Sequence, residues 1–261
     1  MYSKPFLFPA LFLAGFTLTI LTPNHLTAAR AKTAPAAVSG PSVTYPAVGS
    51  AAPDSPLLRA LLREAPGIDR EALQTALAAA ERAWRTGAAK RSDVLAVIDF
   101  SLPSTEQRLW VFDLKQRRLI FNELVAHGAG SGSVYATEFS NRSGSRMSSL
   151  GTFVTAETYQ GKHGYSIRLK GLDEGLNDNS YRRAVVLHPA AYVSNEYVAR
   201  NGRLGRSWGC PAVRPEISRQ LIDTIRGGAV LFAYYPGRTG TDSTSLLAGA
   251  SDPAAQETAA K

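Results

Sequence analysis

Between Ser55 and Gly87 the apolar positions recur at helical spacing: Leu57, Leu58, Leu61 and Leu62 form one stripe, and Ile68, Leu73, Leu77, Ala80 and Trp84 a second. Ser55 ahead of Pro56 and Asp69 ahead of an Ala-rich run are helix starts, and Gly67 and Gly87 are stops. A brace of two helices is expected over residues 54–90. From Val94 the pattern becomes that of strands. Residues 94–100, 108–114 and 119–125 are apolar runs broken by Leu-Pro-Ser-Thr and by the polar turn 115–118, which predicts an antiparallel meander.

A stretch rich in Gly and Ser from Gly128 to Ser149 follows, and a loop of that length inside a compact domain is usually functional or mobile. Further runs at 150–155, 165–169, 184–187 and 229–235 bring the expected count to about seven strands, with one helix from about Glu216 to Ile225. The expected domain, over residues 91–236, is mainly β with some α.

The N-terminus has a different organisation. Lys4 precedes an apolar run from Phe6 to Leu21, and Thr27-Ala28-Ala29-Arg30-Ala31 supplies small residues for a signal peptidase, so residues 1–29 read as a secretory signal peptide. Pro9 and Gly15 interrupt the run, which is shorter than the roughly 20 residues of a membrane-spanning helix; a retained anchor is the alternative to cleavage. No cysteine lies near the cleavage region, so a thioether-linked lipid is unavailable there. Residues 30–53, rich in Ala, Pro, Ser and Gly, read as a disordered linker, and 237–261 as a disordered tail. The expected location is the periplasm or cell envelope.

Composition adds little chemistry. The chain has 261 residues, of which 44% are hydrophobic and 19% charged, enough for one core. A formal charge of +8 suits an anionic partner such as cell-wall polymer or a membrane surface. There is no long Lys/Arg block, only short pairs such as Arg117-Arg118 and Arg182-Arg183, which read as solvated basic faces; nucleic acid is not an expected partner.

Cys210 is the single cysteine, in the run Gly205-Arg206-Ser207-Trp208-Gly209-Cys210-Pro211, downstream of an apolar stretch ending at His188. An exported chain with one cysteine has no intrachain disulfide partner, so the thiol itself is the better reason for it. A Cys/His enzyme follows as the first hypothesis. A metal site built from His127, His163 and His188 finds no support, since no H-x-x-x-H, cysteine pair or acidic cluster accompanies them. Neither a metal nor a cofactor is expected.

The segments Val185-Val186-Leu187-His188-Pro189-Ala190 and Ser207-Trp208-Gly209-Cys210-Pro211-Ala212-Val213 resemble the L,D-transpeptidase, or YkuD-type, catalytic domain, and most closely its murein L,D-transpeptidase branch with Trp in the cysteine motif. The likeness runs from about Ile98 to Pro236. It passes through Ile98-Asp99-Phe100-Ser101-Leu102-Pro103-Ser104, Val125-Ala126-His127-Gly128, Ser149-Leu150-Gly151, Tyr159-Gln160-Gly161-Lys162-His163-Gly164-Tyr165-Ser166 and Gly202-Arg203-Leu204-Gly205-Arg206.

The resemblance implies a β-sandwich or barrel that cuts the L-to-D bond of a peptidoglycan tetrapeptide stem, releases terminal D-Ala, holds the acyl group on Cys210 and passes it to an amine, giving a 3-3 crosslink. An ordinary thiol is only a few per cent ionised at neutral pH, so an activating base is required, and His188 takes that role. The resemblance also implies an oxyanion hole of the Trp208, Gly209 and Cys210 backbone amides, ending there because Pro211 has no N–H.

Most relatives carry a second His at the position of Trp208, Ser or Gly at Pro189, and Arg at Ala212. The acceptor of the imidazole N–H is accordingly expected to be a backbone carbonyl from the loop Ala190 to Gly205. Arg206 or Arg214 is expected to hold a substrate carboxylate, with Ser207, Tyr159, His163 and Tyr165 as further substrate contacts, while His127 is structural or supports the catalytic groups. Carbapenem-type β-lactams are expected covalent inhibitors. Two alternatives stand beside this reading: an L,D-carboxypeptidase using water as acceptor, and a non-catalytic wall-binding protein on the same scaffold.

Overall fold

Two helices stand at the start of the part described by the computed structural model, residues 55–238. The expected signal peptide and linker, residue 54 and residues 239–261 lie outside it. Helix α1, Pro56–Glu64, is capped by Ser55, whose side chain accepts from the Leu58 N–H at 3.1 Å. Helix α2, Arg70–Arg85, is capped in the same way by Asp69 on the Ala72 N–H at 2.9 Å. It ends at Thr86, and Gly87 takes the positive φ of 72° that a side chain would resist.

Eight strands are present among the described residues: β1 Val94–Asp99, β2 Gln107–Asp113, β3 Arg118–Leu124, β4 Gly151–Gly161, β5 Gly164–Gly171, β6 Val186–Pro189, β7 Ala212–Val213 and β8 Val230–Tyr234. They form one sheet in the order β3-β2-β1-β8-β4-β5-β6-β7. The β1-β2-β3 meander is antiparallel as its turns require, and β8 returns parallel to β1. Beyond β3 the chain meets β7: the Ala126 N–H donates to the Ala212 carbonyl at 2.8 Å, and the Ala212 N–H returns to Ala126 at 3.3 Å. This contact brings the two ends of the sheet together into a nearly closed barrel.

All six residues of β1 are buried because the strand has apolar matter on both sides. Leu95 and Val97 join Trp110, Phe112 and Phe232 in packing against α1 and α2, where Leu58, Leu61 and Leu73 are wholly buried. Val94, Ala96 and Ile98 face the opposite cluster with Phe153, Ile167, Leu187 and Leu231. Helix α4, Pro215–Ile225, covers that cluster with Leu221, Ile222 and Ile225. The helical brace is thus continuous with the core of the sheet. Arg91 ties the two sides together, donating to the Thr224 carbonyl at 2.6 Å and the Arg226 carbonyl at 3.0 Å at the end of α4.

Besides a single 3-10 turn at Ala129–Ser131, the structure adds two elements to those expected. Helix α3, Asn195–Asn201, has seven residues and none of them buried, so it carries no apolar stripe to read. It is specified by its caps, with Ser194 accepting from the Tyr197 N–H and Gly202 in the left-handed region. Strand β7 has only two residues, too few to show a period.

Candidate active site

His188 and Cys210 are brought together by the parallel pairing of β6 and β7, in which His188 lies opposite Ala212. The His188 N–H donates to the Pro211 carbonyl at 3.3 Å and the Ala190 N–H to Val213 at 2.9 Å, so Cys210 enters the sheet just ahead of the histidine's partner. The imidazole is buried, 3% exposed, and its Nδ1 lies 2.9 Å from the Pro189 carbonyl. A carbonyl only accepts, so Nδ1 carries the proton and Nε2 keeps its lone pair. The expected acceptor lay in the loop from Ala190 to Gly205; the chain uses the carbonyl of Pro189, the next residue along at the end of β6. Burial holds the imidazole below the usual histidine value. The Pro189 contact opposes this, and the nearby His163 adds to it.

The Cys210 thiol is half-buried and points to the Ala184 carbonyl, 3.9 Å from Sγ. Among the described residues no hydrogen bond joins Sγ to His188. Burial pushes the thiol up, while the Val186 N–H and the Arg183 guanidinium draw it down, and the balance favours the protonated thiol. Tyr192 is also close enough to feel the sulfur: burial, then Cys210, pushes its phenol up to about 12.

The turn before Cys210 is stapled by Ser207. Its hydroxyl donates to the Cys210 carbonyl at 2.6 Å and accepts from the Gly209 N–H at 3.0 Å. The Gly209 amide is thereby occupied. Among the described residues the Trp208 and Cys210 amides have no protein acceptor. The turn rests on the segment after β3, with the Ser207 N–H on the His127 carbonyl at 3.0 Å and the Ala129 N–H on the Ser207 carbonyl at 2.8 Å. His127 itself is buried, with Arg108 donating to its Nδ1 at 2.7 Å. Burial and the Arg108 charge push the ring down to about 4, so it stays neutral.

The other expected contacts scatter. His163, at the tip of the β4–β5 hairpin, lies against His188. Tyr165 turns to α4, its hydroxyl 2.8 Å from Asp223 and its ring beneath Arg219. Tyr159 lies beneath Arg168. Arg214 makes a bidentate pair with Glu123 at 2.7 and 2.8 Å, which occupies the fork expected to meet a substrate carboxylate. Arg206 holds the Gly132 carbonyl at 2.8 Å. Trp208 is 74% exposed, one ring face beneath Arg146.

Sequence reasoning missed Tyr192, Ser148 and Arg183. Ser148 accepts from the Gly128 N–H at 3.0 Å and donates to the Gly209 carbonyl at 3.1 Å, linking the long loop to the cysteine turn. Of the Arg182-Arg183 pair, read as a solvated face, only Arg182 is exposed; Arg183 turns inward because a row of carbonyls and hydroxyls on that loop receives it.

The L,D-transpeptidase catalytic-domain family model matches residues 64–234 of the chain. No curated protein matches the sequence. Similar solved structures include an L,D-transpeptidase from Mycobacterium smegmatis, 14% identical over 55% of this chain and 59% of that one, with a TM-score of 0.35. L,D-transpeptidase 3 from Mycobacterium tuberculosis, in complex with a faropenem-derived adduct, is 11% identical over 55% and 60%, with a TM-score of 0.35. An L,D-transpeptidase from Stackebrandtia nassauensis is 15% identical over 69% and 89%, with a TM-score of 0.34. The chain thus spans under two thirds of the length of the first two.

Proposed function

The chain belongs to the L,D-transpeptidase catalytic-domain family, and from that premise we propose that it is a peptidoglycan L,D-transpeptidase which forms 3-3 crosslinks through an acyl-enzyme on Cys210. The observation that supports the reading is the β6–β7 pairing, in which the strand that carries His188, its imidazole anchored on a carbonyl, runs next to the segment that follows the chain's one cysteine.

Cys210 Sγ turns from the Ala184 carbonyl to His188, whose Nε2 takes the thiol proton. The thiolate attacks the carbonyl of the L-to-D bond, and the resulting oxyanion is met by the Trp208 and Cys210 N–H groups. Loss of one such donor raises a barrier by about 3 kcal/mol. The imidazolium, steadied by the Pro189 carbonyl, protonates the leaving amine, and D-Ala departs. An amine of a neighbouring stem then attacks the thioester, with His188 taking its proton, and the thiol is restored. Water in place of that amine makes the same site an L,D-carboxypeptidase. The signal-like pattern from Lys4 to Ala31 supports action in the periplasm or cell envelope. A thiol activated in this way is also a target for carbapenem-type β-lactams.

The test is incubation of purified protein with disaccharide-tetrapeptide and identification of products by mass. Crosslinked dimers with loss of D-Ala are expected; tripeptides alone would replace transfer with hydrolysis, and unchanged substrate would overturn both.

A further inference from the structure

Arg183 sits in the turn that leads into β6, half-buried, with its backbone fixed by a bond from its N–H to the Asn179 carbonyl at 2.8 Å. Its Nη1 donates to the Ser140 carbonyl at 2.6 Å and to Ser149 Oγ at 2.5 Å. Its Nη2 donates to the Met147 carbonyl at 2.7 Å and to Ser145 Oγ at 3.4 Å. All four acceptors belong to the loop that runs beside the cysteine turn, and all four are neutral. Among the described residues no carboxylate forms an ion pair with this guanidinium, so its charge is not cancelled locally.

That charge faces the cysteine turn. A Cβ placed on Gly209 would lie 3.3 Å from Arg183 Nη2 and 2.7 Å from the Met147 carbonyl, so the turn and the clamped loop touch backbone to backbone. Gly209 also has a φ of 124°, which only glycine adopts easily. The next residue after the arginine, Ala184, is held at a φ of 55° and supplies the carbonyl at which Cys210 Sγ points. One short turn therefore presents both the hydrogen-bond acceptor of the resting thiol and a fixed positive charge that acts on the sulfur. Burial makes the guanidinium easier to deprotonate, and Cys210 counteracts this, the reciprocal of the Arg183 effect on the thiol.

We propose that Arg183 is a positioning residue for Cys210, clamping the 140–149 loop beneath the cysteine turn and supplying the positive charge that stabilises the thiolate. The proposal rests on the reading of Cys210 as the nucleophile. The other groups that bear on the sulfur are the Val186 N–H and the Tyr192 phenol, which is protonated at neutral pH, with His188 on β6 as the proposed base. Arg183 is thus the permanent cation in the set. The clamp and the charge are separable, because lysine keeps the charge and loses the fork, whereas a serine acceptor can be removed with the charge left in place.

The experiment is the pH dependence of Cys210 alkylation by iodoacetamide in the full chain and in R183Q, R183K and S149A, with thermal unfolding of each followed by circular dichroism. This reads the thiol whether or not the protein crosslinks stems, so failure of the transpeptidase reading would leave the result intact. In R183Q the alkylation midpoint is expected to move up by about one pH unit, a roughly tenfold slower reaction on the rising limb of the profile. In R183K more than half of that shift is recovered, while S149A lowers the unfolding temperature and leaves the midpoint in place. An unchanged midpoint in R183Q overturns the proposal, as does an equal shift in R183Q and R183K. Should R183Q not fold, R183K and S149A decide: a full unit's shift in either overturns it, and two wild-type midpoints sustain it.

Discussion

The ring of His163, carried on the tip of the β4–β5 hairpin, lies on the ring of His188 with centroids 4.7 Å apart and planes inclined by 35°. An exposed residue thus lies over a buried one, the imidazole proposed to take the thiol proton. Replacing His163 by Ala removes part of the burial and all of the neighbouring imidazole, and both of these hold His188 below its ordinary value. The proton affinity of His188 therefore rises in His163→Ala. As the base must be neutral to act, the acid limb of the pH–rate profile moves to higher pH, which a titration of the His188 ring by NMR will also register. A limb that stays in place, or moves to lower pH, would show that the hairpin does not tune the base.

Removal of the base tests the division of labour between the two central residues. In His188→Gln the thiol remains but loses its proton acceptor, and acylation by a carbapenem is expected to slow by 10²–10⁴-fold, the usual worth of a positioned base. In Cys210→Ala no covalent adduct forms at any time. Intact-protein mass spectrometry reads both variants.

Stability carries a pH signature from His127. The folded ring titrates near 4 and the unfolded one near 6.5, so between these values the unfolded chain takes up a proton that the folded chain refuses. Stability from this source is complete above pH 6.5 and falls as the pH drops towards 4, by roughly 3 kcal/mol in all. His127→Gln is expected to lower stability outright while flattening its slope across that window. Urea unfolding at a series of pH values measures the slope, and equal slopes in the two proteins would contradict the assignment.

The helical brace shares one apolar cluster with β1, β2 and β8, and Leu73 on α2 is wholly buried within it. Leu73→Ala should destabilise the protein by about 2–5 kcal/mol, in a single unfolding transition common to helix and sheet. Two separate transitions would mean that the helices fold as a module of their own.

The strands and the two capped helices were legible because each announces itself locally, β1 through a continuous apolar run and α2 through Asp69 and its Ala-rich stripe. His188 and Cys210 stood out as candidates because their neighbours in sequence resemble a known motif. What escaped is what depends on distant pairing. Arg214 meets Glu123 across 91 positions, and Arg183 finds its four acceptors 34 to 43 positions back along the chain. In each case composition offers the charge but not the partner. The Pro189 carbonyl was missed for the opposite reason: it is adjacent to His188, and only the side-chain position in the fold shows the ring nitrogen 2.9 Å from it.

An acid-quenched reaction of the protein with a tetrapeptide stem, read by intact mass and then by peptide mapping, asks directly whether Cys210 carries the acyl group. A mass gain equal to the stem less D-Ala, located on the peptide containing Cys210 and absent from Cys210→Ala, is predicted. Release of D-Ala with no adduct on that peptide, or an undiminished rate in Cys210→Ala, would contradict it.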